Sequence, residues 1–420
     1  MRSAAQMFIV GALLAAACCL PAVAAPSKGQ RPATPAAKTA IPLKDSMIFY
    51  LARGDADACG PGCSEWIAAE GTITTGTGNR MRAFLKRNAG KRPIYFFSPG
   101  GITSESLLMG RLMRERGITA RVGRTIPKGC DADAKACADA KRAGREVTAQ
   151  LNTYYAQCNS ACVYAIVGAR LREIAPEAHL GVHASRTVLV GYLPKGTRIP
   201  AHLRARFKAQ NQKMIRSYLA EMGIDPTLLD AAERIPHESV RALSRTEMVR
   251  FNIDTRSMVE SGWIYDERIS SSGGIVFKSI DMTGADGAEY RKTMLRVSCL
   301  GPDKFIVGYA REVGQKESSF IPLKFVAANE EFKLVPPVET VSSTDAKRRY
   351  DIRRTTVPVR AFESAAAGDR IELAPDTGES RPVGTKLSTI GLASALSSLT
   401  RHCHQEAPSG GAALVPRQSP

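Results

Sequence analysis

The residues best suited to chemistry lie in the stretch 158–162, which reads Cys-Asn-Ser-Ala-Cys. Ser160 stands between a polar segment and the apolar run 163–167, and this is the pattern of a residue at the start of a helix. A serine in that place acts either as a helix cap, which is the commoner role, or as a nucleophile. His183 lies further along the chain, and a Gly-Gly pair at 100–101 ends the segment Phe-Phe-Ser-Pro-Gly-Gly. A hydroxyl, an imidazole and a flexible backbone turn are the parts that acyl transfer requires.

The length and composition describe the chain that must position these residues. Its 420 residues suggest about two domains, and 44% hydrophobic with 23% charged residues is ordinary globular composition. The formal charge of +18 is compatible with nucleic acid or an anionic membrane as a partner. The basic residues are scattered, however, without zinc-finger spacing, an RNA-binding aromatic signature or a lysine block. We therefore expect a solvated basic surface and no nucleic-acid partner.

The N-terminus has the pattern of an export signal. An apolar run, 7–20, is followed by Ala-Val-Ala at 22–24, which predicts a signal peptide over 1–25 and a periplasmic or secreted protein. A lipid anchor on Cys18 is the alternative. A flexible leader, 26–44, comes next, and we expect no transmembrane helix after removal of the signal.

The cysteines agree with an oxidising compartment. We expect the cysteines to form disulfides, and zinc binding is the alternative. The spacings lack the paired two-residue gaps of a zinc ribbon, so we expect no metal. The disulfide candidates are Cys59, Cys63, Cys130, Cys137, Cys299 and Cys403. Cys158 and Cys162, placed four apart on one helix, would meet only with strain, so we expect them to be buried thiols or paired elsewhere.

The hydrophobic pattern divides the rest of the chain into two parts. Strand-like and helix-like segments alternate over 45–266, which predicts an α/β layered domain. A long amphipathic helix over 200–221 is expected to pack in its core. Short β-rich pieces over 275–405 predict a small sandwich or barrel, and 406–420 has the composition of a disordered tail.

Several motifs in this order resemble one family. Ser-Pro-Gly-Gly at 98–101, the serine helix at 158–162, a strand ending in His183, the long helix, and Leu-Ser-Arg-Thr-Glu at 243–247 resemble the proteolytic subunit of Clp protease, within the crotonase superfamily. The similarity is nearest to exported bacterial Clp-protease-like proteins with cysteines beside the serine. It implies a ClpP/crotonase-like layered spiral of ββα units, followed here by a small β-rich domain.

The resemblance also implies a role for each site residue. Ser160 would be the nucleophile and His183 the base, while the N–H groups of Gly101 and Ala161 would bind the oxyanion. A strand after Gly101 would pair with an extended peptide. The implied partners are a peptide or protein substrate and further copies of the chain, and no cofactor is implied.

The third member of the family's triad, an aspartate, has no counterpart in this sequence. In the family, the aspartate follows the long helix. Its expected position here is near Ala232 when counted forward from Gly223, and near Pro236 when counted back from Leu243. Glu233 is the carboxylate in that interval and is the weak candidate for orienting His183. The sequence thus supports two hypotheses: an exported serine hydrolase, a peptidase, or a catalytically lapsed relative that binds peptides or envelope partners.

Overall fold

The computed structural model describes residues 45–129, 135–186, 200–267, 274–283, 290–313, 322–336, 349–368, 370–376 and 384–403. The predicted signal peptide and leader lie outside these ranges, as do the Cys18 alternative and the predicted tail, so all of them stay predictions. Across the described residues, every helix is too short or too polar to span a bilayer.

The first half of the described chain alternates between strands and helices, as the hydrophobic pattern predicts. Its elements are β1 (Ile48–Arg53), β2 (Glu65–Glu70), α1 (Thr77–Arg87), β3 (Ile94–Phe97), α2 (Thr103–Arg116), β4 (Ala120–Val122), β5 (Arg124–Pro127), α3 (Lys135–Arg142), β6 (Val147–Asn152), β7 (Gln157–Asn159), α4 (Ala161–Gly168), β8 (Arg172–Glu173), β9 (His179–Val182), α5 (Ala201–Glu221), α6 (Thr227–Glu233), β10 (Arg241–Ala242) and α7 (Arg245–Arg250).

Two sheets organise this half. A seven-stranded sheet has the order β5-β6-β1-β2-β3-β4-β8, and its strands β2, β3, β4 and β8 run parallel. A smaller sheet has the order β10-β9-β7, with β7 and β9 parallel. Ser98, directly after β3, forms a bridge with Cys158 in β7, so the small sheet begins where β3 ends. Carboxyl ends of parallel strands are where α/β folds place their sites.

The apolar faces of these elements close one core. Helix α4 is buried at every position, because it is apolar all round and lies between α2 and the strands. Helix α5 differs from the expectation: Ile215, Tyr218 and Leu219 are buried, whereas Phe207 and Met214 are exposed. Its first turns therefore extend past the core, and the prediction that its whole apolar face packs there is wrong.

The second half is rich in strands and has its own core. Its elements are β11 (Met258–Glu260), β12 (Ile264–Asp266), β13 (Ile275–Thr283), β14 (Tyr290–Cys299), β15 (Lys304–Val313), β16 (Leu323–Ala327), β17 (Glu330–Leu334), β18 (Arg349–Pro358), α8 (Val359–Gly368), β19 (Ile371–Pro375), β20 (Thr385–Leu387) and α9 (Leu392–Cys403). Strands β11 and β12, which the predicted boundary places in the first part, pair with β13 of the second. Phe362 is central to the core, with Phe305 and Phe325 at ring-centroid distances of 5.8 and 5.4 Å.

The β-rich half contacts the segments that lead into the small sheet. The Tyr154 ring, before β7, packs on Phe277 of β13 with centroids 4.6 Å apart. The Lys292 ammonium of β14 donates to the Pro176 carbonyl, before β9, at 3.1 Å. Strands β7 and β9 are thus supported at their starts. The architecture is mixed α/β with several sheets, as expected, while the layered ββα spiral stays a prediction.

Candidate active site

Ser160 occupies the residue between β7 and α4 and has an unusual backbone conformation. Its φ is 55° and its ψ −124°, in the left-handed region that residues with side chains seldom adopt. Its N–H donates to the Gly181 carbonyl at 2.7 Å. Although it holds the N-cap position, its hydroxyl makes no capping hydrogen bond to the helix. Ser160 therefore does not act as a helix cap through its side chain, which is the commoner of the two roles considered for it.

The glycine turn beside Ser160 is held by Ser98, which is fully buried. The Ser98 hydroxyl donates to the Gly71 carbonyl at 2.7 Å and accepts from the Gly100 N–H at 3.1 Å. Its own N–H donates to the Gln157 carbonyl, and its carbonyl accepts from the Asn159 N–H, both at 2.9 Å. Ser98 thus joins the end of β3 to the strand that carries the candidate nucleophile. No role was predicted for Ser98 from the sequence, where its place beside the two glycines was the available signal.

Glycine is required at both positions of this turn. Gly100 has φ 100°, and a Cβ built on it would lie 2.5 Å from the Asn159 carbonyl oxygen and 2.7 Å from the Ser160 Cβ. Gly101 has φ 139°, and a Cβ there would lie 2.9 Å from the Ile73 carbonyl carbon. The turn can therefore approach Ser160 closely only because it lacks side chains.

The glycine turn and the start of α4 each contribute one backbone donor. Within the described ranges, the N–H groups of Gly101 and Ala161 donate to no protein acceptor. The Gly100 Cα abuts the Ala161 nitrogen, since a Cβ on Gly100 would be 3.1 Å from it. The expected strand after Gly101 is wrong: Gly101 makes one bridge to Ile73, and α2 begins at Thr103.

His183 follows β9, the neighbour of the strand before Ser160. Asn159 of β7 is the partner of Gly181 in β9, so continuing the parallel register brings the residues just after each strand to the same end of the small sheet. Neighbouring strands lie about 4.8 Å apart. No hydrogen bond joins the Ser160 hydroxyl to the His183 ring in the part of the chain that the structure describes.

The surroundings of His183 include a second histidine. The rings of His183 and His237 lie 4.9 Å apart between centroids, and the His237 Nδ1 is 3.0 Å from the Ala184 carbonyl oxygen. Burial, and secondly the neighbouring His237, lower the pKa of His183 below its ordinary value. The His183 Nδ1 is buried and has no hydrogen-bond partner among the described residues. The sequence does not single out His237, because the family that it resembles has a carboxylate at this point of the chain.

Glu233 lies near this region but has other partners. Its carboxylate accepts from the Ser185 N–H at 3.1 Å and from the Ser185 hydroxyl at 2.9 Å, and it forms an ion pair with Lys208 of α5 at 2.8 Å. Burial alone would raise the pKa of Glu233, but hydrogen bonds from Lys208 and Ser185 outweigh burial and lower it. Glu233 thus fixes the segment after His183 rather than bonding to the His183 ring.

The disulfides give the clearest test of the cysteine predictions. Four of the six candidates form disulfides, Cys59 with Cys63 and Cys299 with Cys403. Cys130 lies outside the described residues, so its use in a disulfide stays a prediction.

The expectation for the other two cysteines is wrong. Cys158 and Cys162 form a disulfide with their Cα atoms 5.3 Å apart. Cys158 lies on strand β7 rather than on the helix, and the turn at Ser160 brings the two residues together.

No group of three or more His, Cys, Asp or Glu side chains in the described ranges could hold a metal ion. The residues around Ser160 offer a hydroxyl, a neighbouring imidazole and two backbone donors.

Comparisons with known proteins give structural likenesses only. No protein family and no curated protein matches the chain. A serine-to-alanine mutant of the 1510-N membrane-bound stomatin-specific protease is similar over 44% of this chain and 73% of its own, at 16% identity and a TM-score of 0.25. A lysine-to-alanine mutant of the same protease, in complex with a substrate peptide, is similar over 42% and 65%, at 17% identity and a TM-score of 0.25.

A ClpP1 mutant from Listeria monocytogenes is similar over 44% of this chain and 85% of its own, at 14% identity and a TM-score of 0.26. At these scores the likenesses decide neither fold nor function, so a proposal for the function has to rest on the geometry of this chain.

Proposed function

We propose that the protein is a serine hydrolase, a peptidase, with Ser160 as nucleophile. The observation that carries the proposal is the state of Ser160: a residue with a side chain is held at φ 55°, at the start of a buried helix, and its hydroxyl does not cap that helix. Backbone strain of about 1–3 kcal/mol persists only where the surroundings impose it, and it concentrates at functional sites.

In the proposed reaction, the Ser160 oxygen attacks the scissile carbonyl while the His183 Nε2 accepts the hydroxyl proton. The carbonyl oxygen, now negative, receives hydrogen bonds from the N–H groups of Gly101 and Ala161, which have no protein acceptor in the described part of the chain. His183 then gives the proton to the leaving amine, and water releases the acyl group by the same steps in reverse order. A lowered pKa keeps His183 neutral, as a base must be.

We infer that this reaction takes place outside the cytoplasm on a peptide or protein. The disulfides Cys59–Cys63 and Cys299–Cys403 are of the kind that persists in oxidising compartments. The signal peptide over 1–25, with a lipid anchor on Cys18 as its alternative, and self-association are parts of the proposal that rest on the sequence.

A second candidate function is a binding module without catalysis. One observation favours it: the buried His183 Nδ1 has no partner in the described ranges, and Glu233 bonds to Ser185 and Lys208 instead. Without an orienting group, the imidazole is less well fixed, and loss of the third member slows enzymes of the Ser-His-Asp type by about 10⁴-fold.

A fluorophosphonate probe separates the two candidates. The full-length protein should be labelled on Ser160, and Ser160→Ala should remove the label while leaving the thermal unfolding curve nearly unchanged. Ser398→Ala is the control, because Ser398 is a partly exposed serine of α9 in the second half of the chain and its loss should leave the label unchanged. Absence of labelling at every pH from about 6 to 9 would favour the binding module.

A further inference from the structure

A disulfide closes the loop that contains the candidate nucleophile. Cys158 belongs to β7, Cys162 to the first turn of α4, and Ser160 is midway between them. Both cysteines are fully buried in the first core. The bridge therefore connects the end of a strand directly to the beginning of a helix, across the one residue whose backbone must turn sharply.

The two ends of this loop are anchored on either side of the disulfide. Cys158 pairs with Leu180 in β9 and forms a bridge with Ser98, while Cys162 lies within the buried helix α4. Between them, Ser160 is held in a conformation that favours glycine. Without the disulfide, Ser160 could return to ordinary backbone conformations. A strain of about 1–3 kcal/mol corresponds to about a 5- to 150-fold preference for those conformations over the strained one.

We propose that the Cys158–Cys162 disulfide is a positioning device for the nucleophile, so that the reactivity of Ser160 requires the oxidised pair. This inference rests on the proposed function and adds a requirement to the same site. The bridge fixes the direction of the Ser160 hydroxyl and, one residue later, of the Ala161 N–H. Opening it would separate both groups from the Gly100–Gly101 turn without removing any group that touches substrate.

The chain contains a matched control for this idea. Cys59 and Cys63 form a second disulfide with the same sequence separation of 4 and a similar Cα distance, 5.0 against 5.3 Å. Loop-closure entropy predicts nearly equal stabilisation from the two bridges because their loops are equally long. The Cys59–Cys63 bridge lies in the turn between β1 and β2, away from Ser160.

The test compares Cys158→Ala/Cys162→Ala with Cys59→Ala/Cys63→Ala, each in the full-length chain. Fluorophosphonate labelling is measured against probe concentration and expressed per folded molecule. We expect the first variant to lose about 5- to 150-fold in the maximal labelling rate, with the half-saturating probe concentration unchanged. The second variant should label as the wild type does. Equal labelling of both folded variants would overturn the inference and leave the proposed function standing.

Complete absence of labelling on wild-type Ser160 would refute the proposed function. In that case, amide hydrogen exchange still tests the positioning role of the disulfide. The Ser160 N–H, bonded to the Gly181 carbonyl, should exchange faster in Cys158→Ala/Cys162→Ala and not in Cys59→Ala/Cys63→Ala. Unchanged exchange in both variants would contradict the positioning role.

If the first variant does not fold, the wild type can be titrated with dithiothreitol. The Cys158–Cys162 bond breaks, both sulfurs become thiols, and the two electrons come from the reagent, which closes to its own disulfide. Labelling should survive reduction of the partly exposed Cys59–Cys63 bridge and fall only as alkylation of Cys158 and Cys162 appears by mass spectrometry. Full labelling of protein with both of these thiols alkylated would refute the inference.

Discussion

Replacing Gly101 by alanine tests the oxyanion turn directly, because this residue has two reasons to be glycine. Its φ of 139° is closed to residues with a Cβ, and a Cβ would press on the carbonyl group of Ile73, which is itself fully buried and part of the same bridge. The obstruction is backbone, so it cannot rotate away as a flexible side chain would.

The size of the effect follows from these two contributions. A disallowed backbone conformation costs about 1–3 kcal/mol, and inserting a methyl group against a well-packed wall costs about 1–3 kcal/mol more. We therefore expect Gly101→Ala to lower the free energy of unfolding by about 2–6 kcal/mol. In the molecules that remain folded, the turn must shift relative to Ile73 and displace the Gly101 N–H, and loss of one oxyanion donor should slow labelling by about 10²–10³-fold.

The assay combines urea unfolding with fluorophosphonate labelling counted per folded molecule. Gly117→Ala is the control, because Gly117 also has positive φ, 63°, but no atom lies within 4 Å of the position of its Cβ. It should cost about 1–2 kcal/mol and leave labelling unchanged. Wild-type labelling by Gly101→Ala, at wild-type stability, would refute the assignment of this turn as the oxyanion site.

Two further predictions concern the base and the nucleophile. Labelling should increase with pH to a plateau with its midpoint below 6.5, since burial and His237 lower the pKa of His183 and the neutral ring is the base; His237→Gln should move the midpoint upward. Because the pKa of His183 is lower in the folded protein, the unfolded chain binds the proton more tightly than the folded chain does. The contribution of neutral His183 to the free energy of unfolding is therefore complete above about pH 6.5 and is lost as the pH falls through the folded pKa. A midpoint above 6.5 would contradict the assignment. Ser160→Gly should change the free energy of unfolding by about 0–2 kcal/mol in the stabilising direction, because relief of strain exceeds the added chain entropy. Urea unfolding measures it, and clear destabilisation would show that Ser160 is not strained.

The sequence predicted those elements whose apolar pattern is set locally. The predicted alternation is found around the glycine turn, where strand β3 precedes the turn and helix α2 follows it, because hydrophobic period and turn chemistry agree there. The order of strand and helix then places Ser160 and His183 at one end of a small sheet. The order of these elements follows from the pattern of apolar residues, which the sequence shows directly.

The sequence could not predict features that depend on one backbone angle or on distant partners. A continuous helix over 158–162 would disfavour the Cys158–Cys162 bridge, whereas the positive φ of Ser160 puts only one of the two cysteines in the helix. The exposed first half of α5 has an apolar stripe like that of a core helix, and periodicity alone does not show that Phe207 is left exposed. The sequence also does not show that no strand follows Gly101, where α2 begins two residues later.

In the proposed mechanism, His183 would act as a base without the aspartate of the family that the sequence resembles. Glu233 holds Ser185 and Lys208, so it fixes the chain just after His183, and the buried Nδ1 of His183 has no hydrogen-bond partner in the described part of the molecule. The side chain that does face the ring is His237, whose Nδ1 is held by the Ala184 carbonyl. A second imidazole cannot stabilise an imidazolium as a carboxylate does, but it limits the orientations that His183 can adopt. A base of this kind would be weaker than one paired with aspartate, and its activity would extend to lower pH, because a neighbour that can become positive disfavours protonation.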